Sequence, residues 1–225
     1  MVGRLDTEGY SLHHAPAKLL GASVTPARPA LPREFVAVHK RRRMMDAMAE
    51  LTAERGYGAT KIADVVSRAG VARKTLYDNF SGKEELFLAA FEATATEARQ
   101  AVEAACTTVA GGDGEAVEAG LAALLEFLGT HPAQARMCMI EALSATPATA
   151  AQYEEAIQEF VELLREWAPP AEARPGTLEE TLVGGVAWVL QQRIRNDEAE
   201  VLARLLPELS GFVLSPYRGV GNPGR

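Results

Sequence analysis

Hydrophobic residues recur along this chain at helical spacing, and no segment sustains the alternation of apolar and polar residues that is typical of a strand. One predicted helix carries apolar residues at positions i, i+3, i+4 and i+7, namely Ile62, Val65, Val66 and Ala69. Gly70 then permits a tight turn. A shorter helix follows, with Leu76 and Phe80 on its buried face. A helix, a glycine-containing turn and a short second helix are the sequence form of a helix-turn-helix.

Glycine and proline residues divide the remaining chain into further helical segments. The whole pattern predicts an all-α protein of about nine helices. Three of them form a helix-turn-helix domain over residues 34–82, and the other six form a helical bundle over residues 83–215. Residues 1–33, which include four prolines, are predicted to be a flexible arm, and residues 216–225 a C-terminal tail.

Charge is unevenly distributed along the chain. The 225 residues include 23 Lys and Arg and 30 Asp and Glu, a formal net charge of −7. From Arg28 to Lys83, however, 12 basic residues stand against 6 acidic ones. A basic segment joined to an acidic body indicates one surface for a polyanion and a separate body with another task.

Several other classes of protein are disfavoured by the sequence. Cys106 and Cys138 do not make a disulfide framework and fit a reducing compartment. No apolar run reaches the length of a membrane span, and the N-terminus lacks a signal-peptide pattern. The paired cysteine and histidine motifs of metal sites and the nucleophile elbow of hydrolases are missing. We therefore expect a cytoplasmic protein that is not an enzyme and that holds no metal or cofactor.

The short helix after Gly70 has the composition of a DNA-recognition helix. Its basic residues can reach guanine edges or phosphates, and its threonine can contact a thymine methyl group. The Lys40–Arg43 run either is a solvated helix start or contacts phosphates or an A·T-rich minor groove. Thr60 and Lys83 lie near helix N-termini, where binding of phosphate is favoured. The predicted DNA-contacting residues are Arg42, Arg43, Thr60, Arg73, Lys74, Thr75, Tyr77, Asn79 and Lys83.

A longer pattern surrounds this helix. Its matching segments are Gly56-Tyr57, Ala59-Thr60, Ile62-Ala63-Asp64-Val65, Ala69-Gly70-Val71, Thr75-Leu76-Tyr77 with Phe80, and Lys83-Glu84-Glu85-Leu86. The stretch from about Lys40 to Phe91 thereby resembles the DNA-binding domain of the tetracycline-repressor (TetR) family of transcriptional regulators. Ala72 departs from the Ser or Thr that is frequent there, and Asn79 from a frequent His. The C-terminal part is similar to the family in layout only.

The resemblance implies a homodimer, because the family pairs its eighth and ninth helices with their copies across a two-fold axis. In this chain the apolar faces of those helices alternatively belong to the ordinary core of one chain. The candidate dimerisation residues are Val183, Val186, Leu190, Leu202, Leu205, Leu206 and Leu209.

The resemblance also implies that a small effector binds within the C-terminal bundle, although methionines and aromatic residues at helical spacing are equally the residues of a plain core. Glu141 follows an apolar run, so its carboxylate either pairs with a cationic ligand or is exposed. The candidate effector-binding residues are Phe91, Phe127, Met137, Glu141, Tyr153, Phe160, Trp188 and Gln191.

The sequence thus predicts a DNA-binding transcriptional regulator. The resemblance implies a repressor that a small apolar effector releases from a palindromic operator. Its partners are then double-stranded DNA, the effector and a second copy of the chain, and no membrane. Two alternatives stay open at this point: a DNA-binding protein without a ligand, and a helical small-molecule-binding protein.

Overall fold

The structure, a computed structural model, describes residues 33–109, 114–169 and 175–218. Every regular element within these ranges is a helix, and we number nine of them along the chain. This confirms the predicted all-α fold. The helices are α1 Arg33–Ala59, α2 Ile62–Ala69, α3 Arg73–Tyr77, α4 Lys83–Thr108, α5 Glu115–Thr130, α6 132–145, α7 Pro147–Trp167, α8 Leu178–Arg195 and α9 199–214. The predicted arm lies outside the described residues.

Two glycines set the turns around the helix-turn-helix. At Gly56 the backbone leaves the helical region, with φ 81° and ψ 158°, so α1 is kinked there. Gly70 adopts the left-handed conformation (φ 59°) at the end of α2, and its N–H donates to Ser67 O at 3.2 Å. Such positive φ values favour glycine because it has no Cβ. These two turns determine the direction of α2 relative to α1 and that of α3 relative to α2.

Helix α6 changes its winding along its length. It is α-helical over Pro132–Arg136, π-helical over Met137–Glu141 and α-helical again over Ala142–Ala145. A π-helical turn holds more residues than an α-helical turn, so it alters which side chains face each neighbour. Helix α9 similarly begins as a 3-10 helix over Ala199–Leu205 and continues as an α-helix over Leu206–Leu214.

A solid hydrophobic cluster, which we call the N-terminal core, joins α1, α2, α3, α4 and α6. Its largest members are almost completely buried, and the side chains of α1 meet those of α4 and α6 there. These members are Met44, Met48, Leu51, Leu76, Phe80, Leu86, Phe87, Phe91 and Met137. Burial of this much apolar surface fixes α2 and α3 on the rest of the chain.

A second cluster, the C-terminal core, joins α5, α7, α8 and α9. Its buried side chains include Leu125, Leu190, Leu202 and Leu214. Tyr217 also belongs to it, and its hydroxyl donates to Glu179 Oε1 at 3.0 Å. The chain therefore remains packed at Tyr217, inside the segment that was predicted to be a tail from residue 216.

Candidate DNA interface and ligand cavity

Helix α3 presents one polar face and one buried face. Leu76 and Phe80 lie in the N-terminal core, as their spacing predicts. On the opposite face the Lys74 side chain is 85% exposed, and its Nζ lies 3.3 Å from Asp78 Oδ2. Tyr77 is exposed as well, with its hydroxyl 3.5 Å from Arg73 Nη2. One face of this short helix is thus buried in the N-terminal core, and its cationic and phenolic groups are exposed, where a large partner can contact them.

Asn79 has an intrachain role that the sequence did not reveal. Its side-chain amide donates to Thr75 O at 2.8 Å, and its own carbonyl accepts from Arg41 Nη1 at 3.3 Å. The Arg41 guanidinium also lies 4.3 Å from the centre of the Phe80 ring. The Asn79 amide therefore satisfies a carbonyl at the end of α3, which leaves it poorly placed for the predicted contact with DNA.

The two arginines predicted to contact DNA from α1 differ in their surroundings. Arg42 Nε donates to Asp46 Oδ1 at 2.9 Å, and its Nη2 donates to Glu97 Oε2 at 3.1 Å. Hydrogen bonding to Glu97 raises the pKa of Arg42 above its ordinary value. Both carboxylates use its donors, so Arg42 stabilises the packing of α1 on α4, and its contact with DNA stays a prediction. Arg43 is exposed beside Gly70, with Nη2 3.5 Å from the Gly70 carbonyl oxygen.

Thr60 and Lys83 hold the turn between α1 and α2. Thr60 is buried, and its hydroxyl donates to Gly56 O at 2.9 Å. Lys83 Nζ donates to Tyr57 O at 3.0 Å and to Thr60 O at 3.2 Å. It also lies 4.0 Å from the centre of the Tyr57 ring. The kink at Gly56 leaves carbonyls that need donors, which explains why both side chains, which were predicted to contact DNA, turn inward.

An elongated cavity of about 160 Å³ lies between α4, α5, α6, α7 and α8. The lining residues of α4 extend from Phe91 to Cys106, roughly 22 Å along that helix. Those of α7 extend from Tyr153 to Trp167, roughly 21 Å. The remaining walls carry mostly leucine, valine and alanine. The cavity is therefore long and apolar.

Four of the eight predicted effector-binding residues line this cavity, namely Phe91, Phe127, Tyr153 and Phe160. Met137 does not, because the π-helical stretch directs it into the N-terminal core, where it is fully buried. Its neighbours Cys138 and Met139 line the cavity in its place. Periodicity placed the helix correctly, but the extra residue of the π turn changed which side chains face the cavity.

The other three predicted residues lie outside the cavity. Glu141 Oε2 accepts the backbone N–H of Tyr57 at 2.9 Å. Gln191 Nε2 donates to the Tyr153 hydroxyl at 2.7 Å, behind the cavity wall. Trp188 is 62% exposed on the outer side of α8. These three assignments are corrected, since each side chain points to another neighbour or to solvent.

Polar groups in the cavity wall are few and uncharged. Burial raises the pKa of the Cys138 thiol to about 12, so the thiol stays protonated at neutral pH. Burial also raises the pKa of the Tyr153 hydroxyl. Cys106 and Trp167 line the cavity too, although the sequence analysis did not select them. Trp167 lies seven residues after Phe160 on the same helix, a spacing that indicates the same face.

The candidate dimerisation residues are largely internal. Val186, Leu190, Leu202 and Leu209 are buried in the C-terminal core, and the remaining three are half-buried against it. These residues therefore stabilise one chain, and their part in a dimer stays a prediction. The remaining three are Val183, Leu205 and Leu206.

The outer sides of α8 and α9 carry a different apolar surface. Trp188 is exposed on α8, and Phe212 is 46% exposed on α9. A Cβ placed on Gly185 would lie 3.1 Å from the Phe212 ring, so the two helices approach closely at this glycine. Gly184 and Gly211 have open space where a Cβ would be. We call the surface around Trp188 and Phe212 the α8–α9 surface.

Residues 44–90 match the family model for bacterial regulatory proteins, tetR family. The chain therefore carries the DNA-binding domain of the TetR family. It is accordingly a DNA-binding transcriptional regulator, and the match spans α2 and α3 with the adjoining parts of α1 and α4.

Solved structures share the fold of this TetR-family chain. The fatty acid degradation regulator FadR from Bacillus halodurans is 18% identical, with a TM-score of 0.69 over 77% of this chain and 97% of that one. FadR from Bacillus subtilis, in complex with stearoyl-CoA, is 16% identical, with a TM-score of 0.67 over 78% and 98%. A TetR-like regulator from Rhodococcus sp. RHA1 is 22% identical, with a TM-score of 0.63 over 83% and 99%.

Two further properties concern metals and membranes. Within residues 33–109, 114–169 and 175–218, no group of three or more His, Cys, Asp or Glu side chains is arranged to hold a metal ion. In the same ranges no helix is long and apolar enough to cross a membrane.

Proposed function

We propose that this TetR-family regulator is a homodimeric repressor that an acyl-chain effector releases from a near-palindromic operator. The apolar cavity described above is the observation that carries the ligand-responsive part of this proposal, because a DNA-binding protein without a ligand would need no such space. The proposed division assigns DNA binding to residues 34–82, and ligand binding and dimerisation to residues 83–215. Regulation, not catalysis, is the task that this arrangement supports.

DNA recognition is assigned to the exposed groups of α3 and the arginine next to its turn. Arg73, Lys74 and Tyr77 are exposed, Thr75 is half-buried beside them, and Arg43 lies next to Gly70. Cationic and hydroxyl groups of this kind contact phosphates and base edges. The residues that turned inward, such as Arg42 and Lys83, support the interface by holding α1, α2 and α4 in place.

Dimerisation is assigned to the α8–α9 surface. Exposed Trp188 and Phe212 provide apolar area, while Gly184 and Gly211 permit close approach of another helix. One helix as short as α3 reads few bases, so two copies related by a two-fold axis suit a near-palindromic operator. Sedimentation of the Trp188→Glu variant is expected to show a monomer where the unmodified chain sediments as a dimer. A monomer for both proteins at micromolar concentration would contradict the assignment.

The effector is assigned to the class of long acyl compounds. The cavity is long and apolar, and the structurally similar FadR from Bacillus subtilis is in complex with stearoyl-CoA. Among the described residues no charged side chain lines the cavity, so a cationic effector finds no partner there. Glu141, the one candidate for that role, binds the Tyr57 backbone instead.

The π-helical stretch of α6 connects the cavity with the DNA-binding segment. Cys138 and Met139 line the cavity, whereas Met137 packs in the N-terminal core. Glu141 then accepts the Tyr57 N–H, next to the kink from which α2 departs. A ligand that displaces Cys138 or Met139 therefore acts on a stretch that also contacts the helix-turn-helix. A ligand that prefers one arrangement of this stretch lowers operator affinity through its differential affinity for the two states.

Fluorescence anisotropy on a selected operator tests this proposal. Stearoyl-CoA is expected to weaken the operator complex by at least about tenfold, while free coenzyme A at the same concentration is expected to leave it unchanged. The same protein should melt at a higher temperature with stearoyl-CoA, because the ligand binds the native state. Equal operator affinity with and without saturating stearoyl-CoA would favour a DNA-binding protein whose activity is independent of this ligand class.

A further inference from the structure

One buried polar atom in the cavity wall has no hydrogen-bond partner. Trp167 is the last residue of α7 and lines the cavity. Its Nε1 atom is buried, and no acceptor contacts it among the residues that the structure describes. An indole N–H can only donate. Native proteins rarely leave a buried donor unpaired, so this atom calls for an acceptor that the described residues do not supply.

Other polar groups in the wall already have partners. The Thr94 hydroxyl donates to Ala90 O at 2.9 Å, and Cys106 Sγ donates to Ala116 O at 3.3 Å. The Tyr153 hydroxyl accepts from Gln191 Nε2 at 2.7 Å. Trp167 Nε1 differs from these groups in having no hydrogen-bond partner among the described residues.

The position of Trp167 at one end of the cavity determines how a ligand bound to it would be oriented. Trp167 packs against the small cluster of Val102, Cys106 and Leu163. Tyr153 lies at the opposite end of the α7 stripe, roughly 21 Å away along the helix. Phe91 belongs to the N-terminal core as well as to the cavity wall. A polar group bound at Trp167 would leave the hydrocarbon part of the ligand to extend toward the DNA-binding segment.

The charges of the side chains that line the cavity indicate whether the bound part of the ligand is neutral or charged. Within the described residues, none of the side chains that line the cavity is charged. A carboxylate buried there would lose its hydration without gaining a counter-ion. A neutral carbonyl oxygen needs only one donor, which Trp167 Nε1 provides.

We propose that Trp167 Nε1 donates a hydrogen bond to the uncharged carbonyl group of an acyl ester or thioester, whose chain extends along α4 and α7 toward Phe91. The proposal rests on the proposed function, since it assigns the polar recognition within the same effector cavity. Trp167 is then a specificity-determining residue that distinguishes an acyl ester from a plain hydrocarbon and from a free fatty acid.

Calorimetric titration of the full chain with three probes tests the proposal without DNA. Methyl laurate carries the carbonyl, tridecane has the same number of carbon atoms without it, and laurate is the free acid. In the Trp167→Phe variant the ratio of the dissociation constants for methyl laurate and tridecane is expected to rise on the order of tenfold, because one hydrogen bond to the carbonyl is lost. Phe160→Leu, a control that removes volume from the same wall but no donor, is expected to keep the ratio of the unmodified protein.

The outcomes separate the two proposals. If both neutral probes bind and the ratio is the same in all three proteins, the Trp167 proposal is wrong while the acyl-binding cavity stands. If laurate binds the unmodified chain more tightly than methyl laurate, the neutral carbonyl is wrong. If neither neutral probe binds, both proposals are overturned. Far-ultraviolet circular dichroism of Trp167→Phe verifies its fold, and the rise in the ratio with retained tridecane binding supports the assignment.

Discussion

The buried apolar side chains fill a core in the N-terminal part of this regulator, whereas in the C-terminal part they surround a cavity. Beneath α3, bulky residues such as Phe80, Phe87 and Met44 fill the N-terminal core and are almost completely buried. Beyond Phe91, the same long helix α4 lines a cavity. A solid core fixes the geometry of the DNA-reading groups, because close-packed interiors transmit force and deform little. A hollow bundle sacrifices part of that packing and gains space for a ligand.

Truncating one phenylalanine in each region is the strongest test of this difference in packing. Phe80→Ala is expected to lower the free energy of unfolding by about 3–5 kcal/mol, because it opens a void in a filled core. Phe160→Ala is expected to cost less than about 2 kcal/mol, since Phe160 is half-buried and already borders the cavity. Urea denaturation at one fixed protein concentration measures both. Equal losses for the two variants would show that the bundle is packed as tightly as the core.

The exposed face of α3 provides the next prediction. Lys74→Ala is expected to weaken binding to a selected operator by about 1–3 kcal/mol if the ammonium reads a base, and nearly equally for all sequences if it contacts phosphate. Anisotropy titrations at two salt concentrations distinguish these cases, because phosphate contacts add to the salt dependence. Arg204→Ala, which alters an exposed cation of α9, is the matched control and should bind as the unmodified chain does. Unchanged affinity of Lys74→Ala for every duplex would remove α3 from the interface.

Enlarging one alanine in each region tests the same contrast in the opposite direction. Ala47 is buried in the N-terminal core, and Ala98 is buried in the cavity wall. Ala47→Leu is expected to lower the free energy of unfolding by about 1–3 kcal/mol through overpacking. Ala98→Leu is expected to raise it by about 1 kcal/mol by filling space, and to abolish the effect of stearoyl-CoA on DNA binding. Destabilisation of both variants would mean that the cavity is closed to additional side-chain volume.

Glu141 gives the smallest expected effect. Glu141→Ala removes the acceptor of the Tyr57 N–H and is expected to cost about 1 kcal/mol of stability. Its operator complex should respond less to stearoyl-CoA than that of the unmodified chain, whereas Glu141→Gln, which keeps an acceptor oxygen, should retain most of the response. Anisotropy with and without stearoyl-CoA measures this difference. A full response in the folded Ala variant would show that coupling passes through other contacts.

Sequence analysis succeeded where a local pattern determines the structure. The spacing of Leu76 and Phe80 predicted their burial, although α3 ends at Tyr77 before it reaches Phe80, and Gly70 predicted the turn before the helix. The ion pair of Arg42 was not predicted, because its partner Glu97 is 55 residues away along the chain. The intrachain hydrogen bonds of Lys83 were not predicted, because the free carbonyls at the kink depend on a backbone conformation that composition does not reveal.

The cavity shows a more general limit of prediction from hydrophobic periodicity. Phe91 and Met137 are both large, apolar and at helical spacing, yet only Phe91 lines the empty space. Hydrophobic periodicity tells which face of a helix is covered, but it does not tell whether the covering atoms fill the volume. Met137 lies in a π-helical stretch that contacts α1, α4 and α8, and contacts between such distant segments are not visible in hydrophobic periodicity.

The hydrogen bond between Glu141 and Tyr57 has a reciprocal consequence. If the cavity and the DNA-binding segment share one equilibrium through this contact, operator DNA must weaken effector binding by the same factor by which the effector weakens operator binding. Protein molecules seated on an operator would then be the last to take up the effector, and unbound molecules the first. The concentration at which a gene is released would depend on how tightly its own operator is held, so one effector could open weak and strong operators in sequence.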